Sequence, residues 1–202
     1  HADYAIDPHL WMDVGRWAMI VPAVTDQLVA LAPGCEAEMR QRAAQYRKEL
    51  VALDDWIQKS IGSIPEQQRI LVTAHDAFGY YGLAYGIEVK GIQGISTDSE
   101  AAIADIRNMV STVVERKVPA VFIESTINPR TIQAVIDGAK ERGHKVRIGG
   151  ELFSDAMGEP GTPEGTYIGM LRSNTIAIVE GLGGETAPWP GTLEGWKQRW
   201  EQ

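Results

Sequence analysis

Cysteine is nearly absent from this sequence, since Cys35 is the only one. A lone cysteine cannot close a disulfide within the chain, and it lacks the CxxC partner of a zinc-thiolate or redox site. Long apolar runs are lacking too, and no stretch approaches the ~20 residues of a transmembrane helix. No signal peptide opens the chain, so we expect a secreted protein to be represented here after processing. These absences exclude a disulfide-held fold and leave the compartment open.

Positive charge is also scarce. The formal net charge is −8, and acidic residues outnumber basic ones by 27 to 19. Such a balance argues against nucleic acid as a partner, because its phosphates require a basic face. The same acidity favours the attraction of cations, although many inert proteins share it. The chain is 44% hydrophobic over 202 residues, which is enough for one large globular domain or for one domain and part of another.

The common signatures of nucleotide and hydrolase chemistry are missing as well. The sequence contains no GxxxxGK[ST] phosphate loop, no GxGxxG after a predicted strand, no GxSxG elbow and no HExxH. Nucleotide chemistry and serine hydrolysis are therefore disfavoured, and any chemistry must come from other residues.

The clearest pattern that is present runs from Glu36 to Gly62. Apolar residues recur there at steps of three and four, and pairs such as Glu36 and Arg40 add opposite charges one turn apart. A helix of this length would reach ~40 Å, longer than most globular helices. A coiled-coil segment is one interpretation. We favour a strut that joins two lobes, because a complete α/β unit follows.

β-rich runs alternate with helical patterns downstream of Pro65, and this alternation predicts an α/β fold with a parallel sheet flanked by helices. The predicted strands are Arg69–Ala74, Ile87–Ile95, Val118–Glu124 and Lys145–Ile148. The predicted helices are Met12–Leu31 with a kink at Pro22, Ala77–Tyr85, Ser99–Lys117, Asn128–Gly143 and Tyr167–Leu182.

Polar residues stand at the carboxyl ends of these strands, where the site of a parallel sheet is expected. His75 and Asp76 follow the first strand, Glu124 ends the third, and Asp155 comes shortly after the fourth. His9 lies in the loop before the first helix. Each also has a purely structural interpretation: His75 could be satisfied by the backbone, and Asp76 and Asp155 could cap turns.

Four segments, in order and at sensible spacing, share one resemblance. They are Asp7–Val14 (DPHLWMDV), Leu71–Ser96 (LVTAHDAFGYYGLAYGIEVKGIQGIS), Val121–Arg130 (VFIESTINPR) and Gly149–Gly158 (GGELFSDAMG). Together they resemble the zinc/manganese solute-binding receptors of ABC transporters, the cluster A-I or cluster 9 family, which is also known for receptors of the cell-adhesion type. The resemblance covers essentially the whole chain and points to the C-terminal portion of such a receptor.

The resemblance implies an extracytoplasmic receptor that captures Zn2+ or Mn2+ and delivers it to the permease of an ABC importer, without enzymatic activity. It implies a periplasmic location, or a lipid anchor on the extracellular face if a lipobox lies upstream. It also implies three parts: residues 1–34 as a remnant of the N-terminal lobe, 35–64 as the long rigid interlobe helix, and 65–202 as the C-terminal α/β lobe.

In that family the metal lies between the lobes, and the resemblance places its ligands at His9, His75 and Asp155. Glu124 and Arg130 match positions near the cleft, where we expect an ion pair that supports the ligands or the lobe, with a plain surface pair as the alternative. A fourth ligand, an earlier histidine, is expected upstream, unless His1 completes the set.

Two imidazoles and a carboxylate, together with the third imidazole expected upstream, form an N3O set that suits zinc. His75 also favours zinc over manganese, because manganese-selective relatives often carry glutamate at that position. Manganese remains the alternative, since it accepts imidazole as well.

Two other functions stay open at this point. A mononuclear metallohydrolase could use the same three residues, with Glu124 or Glu151 as its general base. A receptor for a metal chelate such as a siderophore, haem or cobalamin would need an aromatic cleft, to which Phe78, Tyr80 and Tyr81 could contribute.

Overall fold

The computed structural model describes residues 6–97 and 101–201. Seven α-helices occur in those ranges: α1 (Val14–Leu31), α2 (Glu36–Gly62), α3 (Gly79–Tyr85), α4 (Ile103–Glu115), α5 (Arg130–Glu141), α6 (Tyr167–Gly181) and α7 (Glu194–Trp200). Four strands accompany them: β1 (Ile70–His75), β2 (Glu88–Gln93), β3 (Ala120–Glu124) and β4 (Arg147–Leu152). No helix in these ranges has both the length and the apolar character needed to cross a membrane.

The long helix predicted from the apolar stripe is confirmed, because α2 runs unbroken over 27 residues. Its buried side chains all lie in its second half, from Leu50 onward, where α2 packs against the α/β unit. The preceding helix α1 is capped by Asp13, whose side chain accepts a hydrogen bond from the Arg16 backbone N–H at 3.0 Å. Pro22 lies inside α1 without ending it.

The strands form two parallel ladders, β1 with β2 and β3 with β4. The parallel, helix-flanked arrangement is therefore confirmed, but the hydrogen bonding does not extend through one continuous sheet. Strands β1 and β3 lie side by side. At their carboxyl ends the backbone N–H of His75 donates to the Glu124 side chain at 2.9 Å. The side chain of Glu124, and not the backbone of a neighbouring strand, therefore accepts the hydrogen bond from the His75 N–H.

Two hydrophobic clusters cover opposite faces of the strands. Leu71 belongs to the cluster shared with α2, α3 and α6, whereas its neighbours Ile70 and Val72 belong to the cluster with α4 and α5. This alternation is what a strand with helices on both faces requires. The tryptophan-rich tail packs back on the body as predicted, with Trp189 edge-on to Trp56 at 5.0 Å between ring centroids.

The fourth strand differs from its prediction. It was expected at Lys145–Ile148, ahead of a glycine pair, but it runs from Arg147 to Leu152 through both glycines. A Cβ at Gly149 would lie 2.6 Å from the Phe122 ring, and one at Gly150 would lie 2.9 Å from Ala177. The glycines therefore serve close packing within the strand and do not form a turn.

The helix expected over Ser99–Lys117 also differs from its prediction. Its predicted start at Ser99 lies outside the described residues, and α4 is described from Ile103 to Glu115.

Candidate metal site

His9, His75 and Asp155 converge at the carboxyl ends of β1 and β4. Each offers one ligand atom, and these atoms all lie within 4.8 Å of one another. Nε2 of His9 is 3.3 Å from one carboxylate oxygen of Asp155, and Nε2 of His75 is 3.4 Å from the other. Three segments that are far apart in the sequence thus present two imidazole nitrogens and a carboxylate to one point.

His75, the last residue of β1, is held by Glu124, the last residue of β3. The Glu124 carboxylate accepts from the His75 backbone N–H at 2.9 Å, and its other oxygen lies 2.6 Å from the ring Nδ1. That second contact is an ion pair, because the ring N–H is not aligned for a hydrogen bond of standard geometry. Both side chains are fully buried.

The second ring nitrogen of His75, Nε2, is buried and has no hydrogen-bond partner among the residues that the structure describes. Such groups are rare in folded proteins and call for a specific explanation. A cation between His75, His9 and Asp155 would supply the missing partner.

The charges around His75 favour a cation as well. Burial by itself lowers the pKa of the imidazole, but the carboxylates of Glu124 and Asp155 act in the opposite direction, and the pKa lies above its usual value. The same negative charges would stabilise a metal ion.

His9 precedes a short 3-10 turn over Leu10–Met12 and is only 4% exposed. Its backbone N–H donates to a carboxylate oxygen of Asp7 at 3.0 Å, and the same oxygen lies 2.7 Å from the ring Nδ1. Asp7 was missed by the sequence reasoning. The available signal was the position of an aspartate two residues before a histidine, a spacing at which side-chain-to-backbone turns form.

The loop that carries Asp155 is fixed by a buried amide, Asn174 on α6. The Phe153 backbone N–H donates to the Asn174 side-chain oxygen at 2.8 Å, and the Asn174 amide donates back to the Phe153 carbonyl at 2.8 Å. This pairing satisfies a stretch of loop backbone that has left the β4 ladder.

A second set of contacts joins the His9 segment to the Asp155 loop. The indole N–H of Trp11 donates to the Ser154 carbonyl at 2.9 Å, a contact between residues 143 positions apart. The Tyr167 hydroxyl donates to the Trp11 carbonyl at 2.7 Å. The segment before α1 is therefore tied to both sides of the loop before α6.

Other residues considered from the sequence lie outside this cluster of three ligands. Arg130 is exposed on the first turn of α5, and no ion pair joins it to the buried Glu124 in the part of the chain that the structure describes. The expected Glu124–Arg130 pair is therefore wrong, since the Glu124 carboxylate pairs with His75 instead.

Asp76 is half-buried, and burial, followed by the charge of Asp7, raises the pKa of its carboxyl. His1 lies outside the described residues.

The geometry fits zinc. Two ligand atoms that each lie ~2.0–2.1 Å from one zinc ion at the tetrahedral angle are about 3.3–3.4 Å apart. The two nitrogen–oxygen distances to Asp155 are 3.3 and 3.4 Å. The two distances involve different oxygens of Asp155, so both histidine nitrogens lie beside this carboxylate at close to zinc-ligand spacing.

A parallel α/β unit preceded by a long helix, with its polar site at the carboxyl ends of the strands, defines the structural class of this protein. Within that class the chain belongs to the family described as ZnuA, the periplasmic component A of a zinc-uptake complex, whose sequence profile matches residues 1–181.

Individual relatives agree with this assignment. The zinc-binding protein TroA of Treponema pallidum (strain Nichols) is 49% identical over 176 residues, which cover 87% of this chain and 57% of that protein. The manganese-binding lipoprotein MntA of Bacillus subtilis (strain 168) is 47% identical over 176 residues, which cover 87% of this chain and 58% of that one.

The solved structure of the periplasmic zinc-binding protein TroA from Treponema pallidum superposes with a TM-score of 0.86 at 48% identity, covering 90% of this chain and 66% of that one. The chain thus spans less than two thirds of the length of these relatives.

Proposed function

We propose that this protein binds a divalent transition metal ion at His9, His75 and Asp155 as the capture step of an ABC importer. One observation carries the proposal: two histidines have Nδ1 against a carboxylate and Nε2 against a third, shared carboxylate. In metal-binding histidines, the ring nitrogen that does not bind the metal usually contacts a carboxylate, a backbone carbonyl or a water. The ion is cargo in this function, to be held and then released.

Zinc is the metal that we propose, with manganese as the alternative. Two imidazole nitrogens and one carboxylate oxygen form a borderline donor set that suits zinc, and both nitrogens lie within 3.4 Å of an Asp155 oxygen. Relatives of nearly equal identity are named for zinc and for manganese. The choice therefore depends on the donor set of this chain.

The proposed setting is outside the cytoplasm, with the permease of an ABC importer as partner. The family is described as periplasmic, and one relative is named a lipoprotein. We propose the division into 1–34, 35–64 and 65–202 on the same basis. The first of these parts carries His9, and the last carries His75 and Asp155.

We propose binding rather than catalysis. A zinc hydrolase needs a general base beside an open coordination position. Glu124 has both oxygens engaged by His75, and Glu151 is exposed on β4. A chelate receptor is disfavoured as well, because Phe78 and Tyr81 are fully buried in the core and do not line a cleft.

A zinc titration by calorimetry, with a competing chelator, tests the proposal. We expect one zinc equivalent on the wild-type protein and loss of that binding in His75→Ala and Asp155→Ala. His144→Gln is the matched control, because His144 lies away from the site with its ring against the Val118 carbonyl. Equal affinity in all four proteins would remove the proposed function.

A further inference from the structure

We propose that Asp7 is a positioning residue that selects the tautomer of His9 and directs its Nε2 at the metal. The inference rests on the proposed function and adds to it a residue that makes no contact with the ion. Asp7 would act only through His9.

The contact between Asp7 and His9 has the geometry that this role needs. One Asp7 oxygen accepts from the His9 backbone N–H at 3.0 Å and lies 2.7 Å from the ring Nδ1. An ionised carboxylate is only an acceptor, so the ring must carry its hydrogen on Nδ1. In the neutral ring this leaves the lone pair on Nε2, the nitrogen that lies 3.3 Å from Asp155.

The same device occurs a second time in the site, built from different elements. Glu124 also faces the backbone N–H and the Nδ1 of His75, although it uses a separate oxygen for each and pairs with Nδ1 as an ion pair. His75 and Glu124 lie at the ends of two strands, whereas Asp7 and His9 lie two positions apart in one turn. Their common outcome is that both Nε2 atoms approach Asp155. A chance hydrogen bond in a turn would not reproduce this orientation.

Asp7 is itself held in place from the side of α3. The Tyr80 hydroxyl donates to the Asp7 carbonyl at 3.3 Å. A Cβ at Gly79 would lie 3.1 Å from the second Asp7 oxygen, so the absence of a side chain there leaves room for the carboxylate. Asp7 is therefore fixed relative to the element that follows His75, and through it His9 is fixed relative to His75.

Asp7 offers a cleaner test than Glu124. Its side chain is 23% exposed, whereas Glu124 is fully buried. Replacement of Asp7 therefore leaves no buried charge without a partner, and we expect the variants to fold.

The test compares Asp7→Ala and Asp7→Asn with Asp13→Asn as the matched control. Asp13 is another aspartate of the same segment, but its carboxylate caps α1 and pairs with Arg16. Two quantities are measured: the zinc dissociation constant, and the His9 tautomer from ring 15N shifts in the metal-free protein at a pH where the ring is neutral. His9→Gln assigns the His9 signals.

We expect zinc affinity to fall about 10- to 100-fold in Asp7→Ala, the usual effect of losing such a partner. Asp7→Asn should fall less, because its amide oxygen can still accept from Nδ1. The His9 shifts should indicate Nδ1–H in the wild type, Asp7→Asn and Asp13→Asn, and a mixture of tautomers in Asp7→Ala.

Unchanged His9 shifts in Asp7→Ala would overturn the inference, whatever happens to affinity, because the effect would then come from charge or folding. A shifted tautomer with affinity equal to that of Asp13→Asn would also overturn it. The tautomer measurement needs no metal. If the wild type bound no zinc, the proposed function would fail on its own, and the His9 shifts alone would decide the role of Asp7.

Discussion

At the scale of single residues, the site is organised by carboxylates in two positions. Asp155 faces both Nε2 atoms, while Asp7 and Glu124 stand behind the rings. With neutral imidazoles these three carboxylates carry three negative charges, so a divalent cation is stabilised before any solvent contribution is considered. The same carboxylates also stabilise a protonated His75, so protons compete with the metal ion for this ligand.

Replacing His75 by glutamate tests the proposed preference for zinc. The change exchanges a borderline nitrogen for a hard oxygen, so we expect the ratio of manganese to zinc affinity to rise about tenfold or more, ~1.4 kcal/mol. Glu124 complicates the single variant, since two buried carboxylates would then face each other.

The double variant His75→Glu/Glu124→Gln removes that repulsion and should show the larger shift. Calorimetry with both metals on both variants measures it. If the ratio stayed constant in the single and the double variant, the positions of the loops and not the ligand type would set the choice.

The raised pKa of His75 predicts how binding depends on pH. A metal ligand must give up its proton, so apparent zinc affinity should fall as the pH drops through the raised pKa of this histidine. The metal-free protein behaves oppositely: a raised histidine pKa contributes stability at low pH that is lost as the pH rises through the folded value.

Zinc titrations from about pH 8 to about pH 5.5 span the ordinary histidine range and check the prediction. Glu124→Gln removes a charge that raises the pKa of His75, so its affinity should start to fall at a lower pH. Identical pH profiles for the two proteins would show that the ion pair does not control proton competition.

The ligands and Glu124 could be predicted from the sequence, but Asp7, the carboxylate beside Nδ1 of His9, could not. His75 and Asp155 could be proposed because strand ends are where parallel sheets place their sites, and His9 because of the family resemblance. Asp7 was not found, since a local turn depends on backbone angles that the residue pattern does not specify. The Glu124–Arg130 pair failed for a related reason. Which of two partners a carboxylate takes is decided by packing, and His75 is the buried one.

At the scale of elements, the Asp155 loop depends on one amide. Asn174 is fully buried, and its side chain makes two hydrogen bonds to the Phe153 backbone. Asn174→Ala should lower the free energy of unfolding by about 1–3 kcal/mol, because two partly buried backbone groups of Phe153 lose their partners. Zinc affinity should fall as well, since the loop begins two residues before Asp155.

Urea unfolding and zinc titration of the Asn174 variant test both effects. Asn128→Ala is the control, because Asn128 is exposed in the turn before α5 and its side chain accepts from the Arg130 backbone N–H, away from the Asp155 loop. If Asn174→Ala lowered the stability but kept wild-type zinc affinity, the contact between Asn174 and the Asp155 loop would not control metal binding.

Element boundaries were predicted well where periodicity decides them and poorly where packing does. Helix α2 was predicted to the residue, because its apolar stripe repeats without a break or a proline. Strand β4 was cut short at its glycine pair, since glycines read as a turn in the sequence. Only the position of the Phe122 ring, set by another strand, shows why a side chain would not fit there.

At the scale of the whole molecule, the site joins the segment before α1 to loops of the α/β unit. Trp11 contacts Ser154 and Tyr167 across more than 140 positions of sequence. These hydrogen bonds bring the segment of His9 and the loop of Asp155 together beside the ligand atoms. No local sequence pattern predicts these hydrogen bonds, because the residues next to Trp11, Ser154 and Tyr167 give no signal of a long-range contact. The spacing between His9 and Asp155 therefore depends in part on Trp11 and Tyr167, which are not metal ligands.

Tyr167→Phe removes one of these bonds and nothing else of the side chain. An intramolecular hydrogen bond contributes about 0.5–1.5 kcal/mol, so zinc affinity should fall about two- to tenfold if its loss lets the His9 segment move away from the Asp155 loop. Tyr81→Phe is the matched control, since it also loses a buried hydroxyl contact, to Thr175 at 2.9 Å, but away from the site. Both variants should lose stability by a similar amount in urea unfolding, and only Tyr167→Phe should bind zinc more weakly and release it faster in a stopped-flow chelator assay. Equal zinc release from the two variants would show that the Trp11 contacts serve the fold alone, and that the ligand spacing is set by Asp7, Glu124 and Asn174 without them.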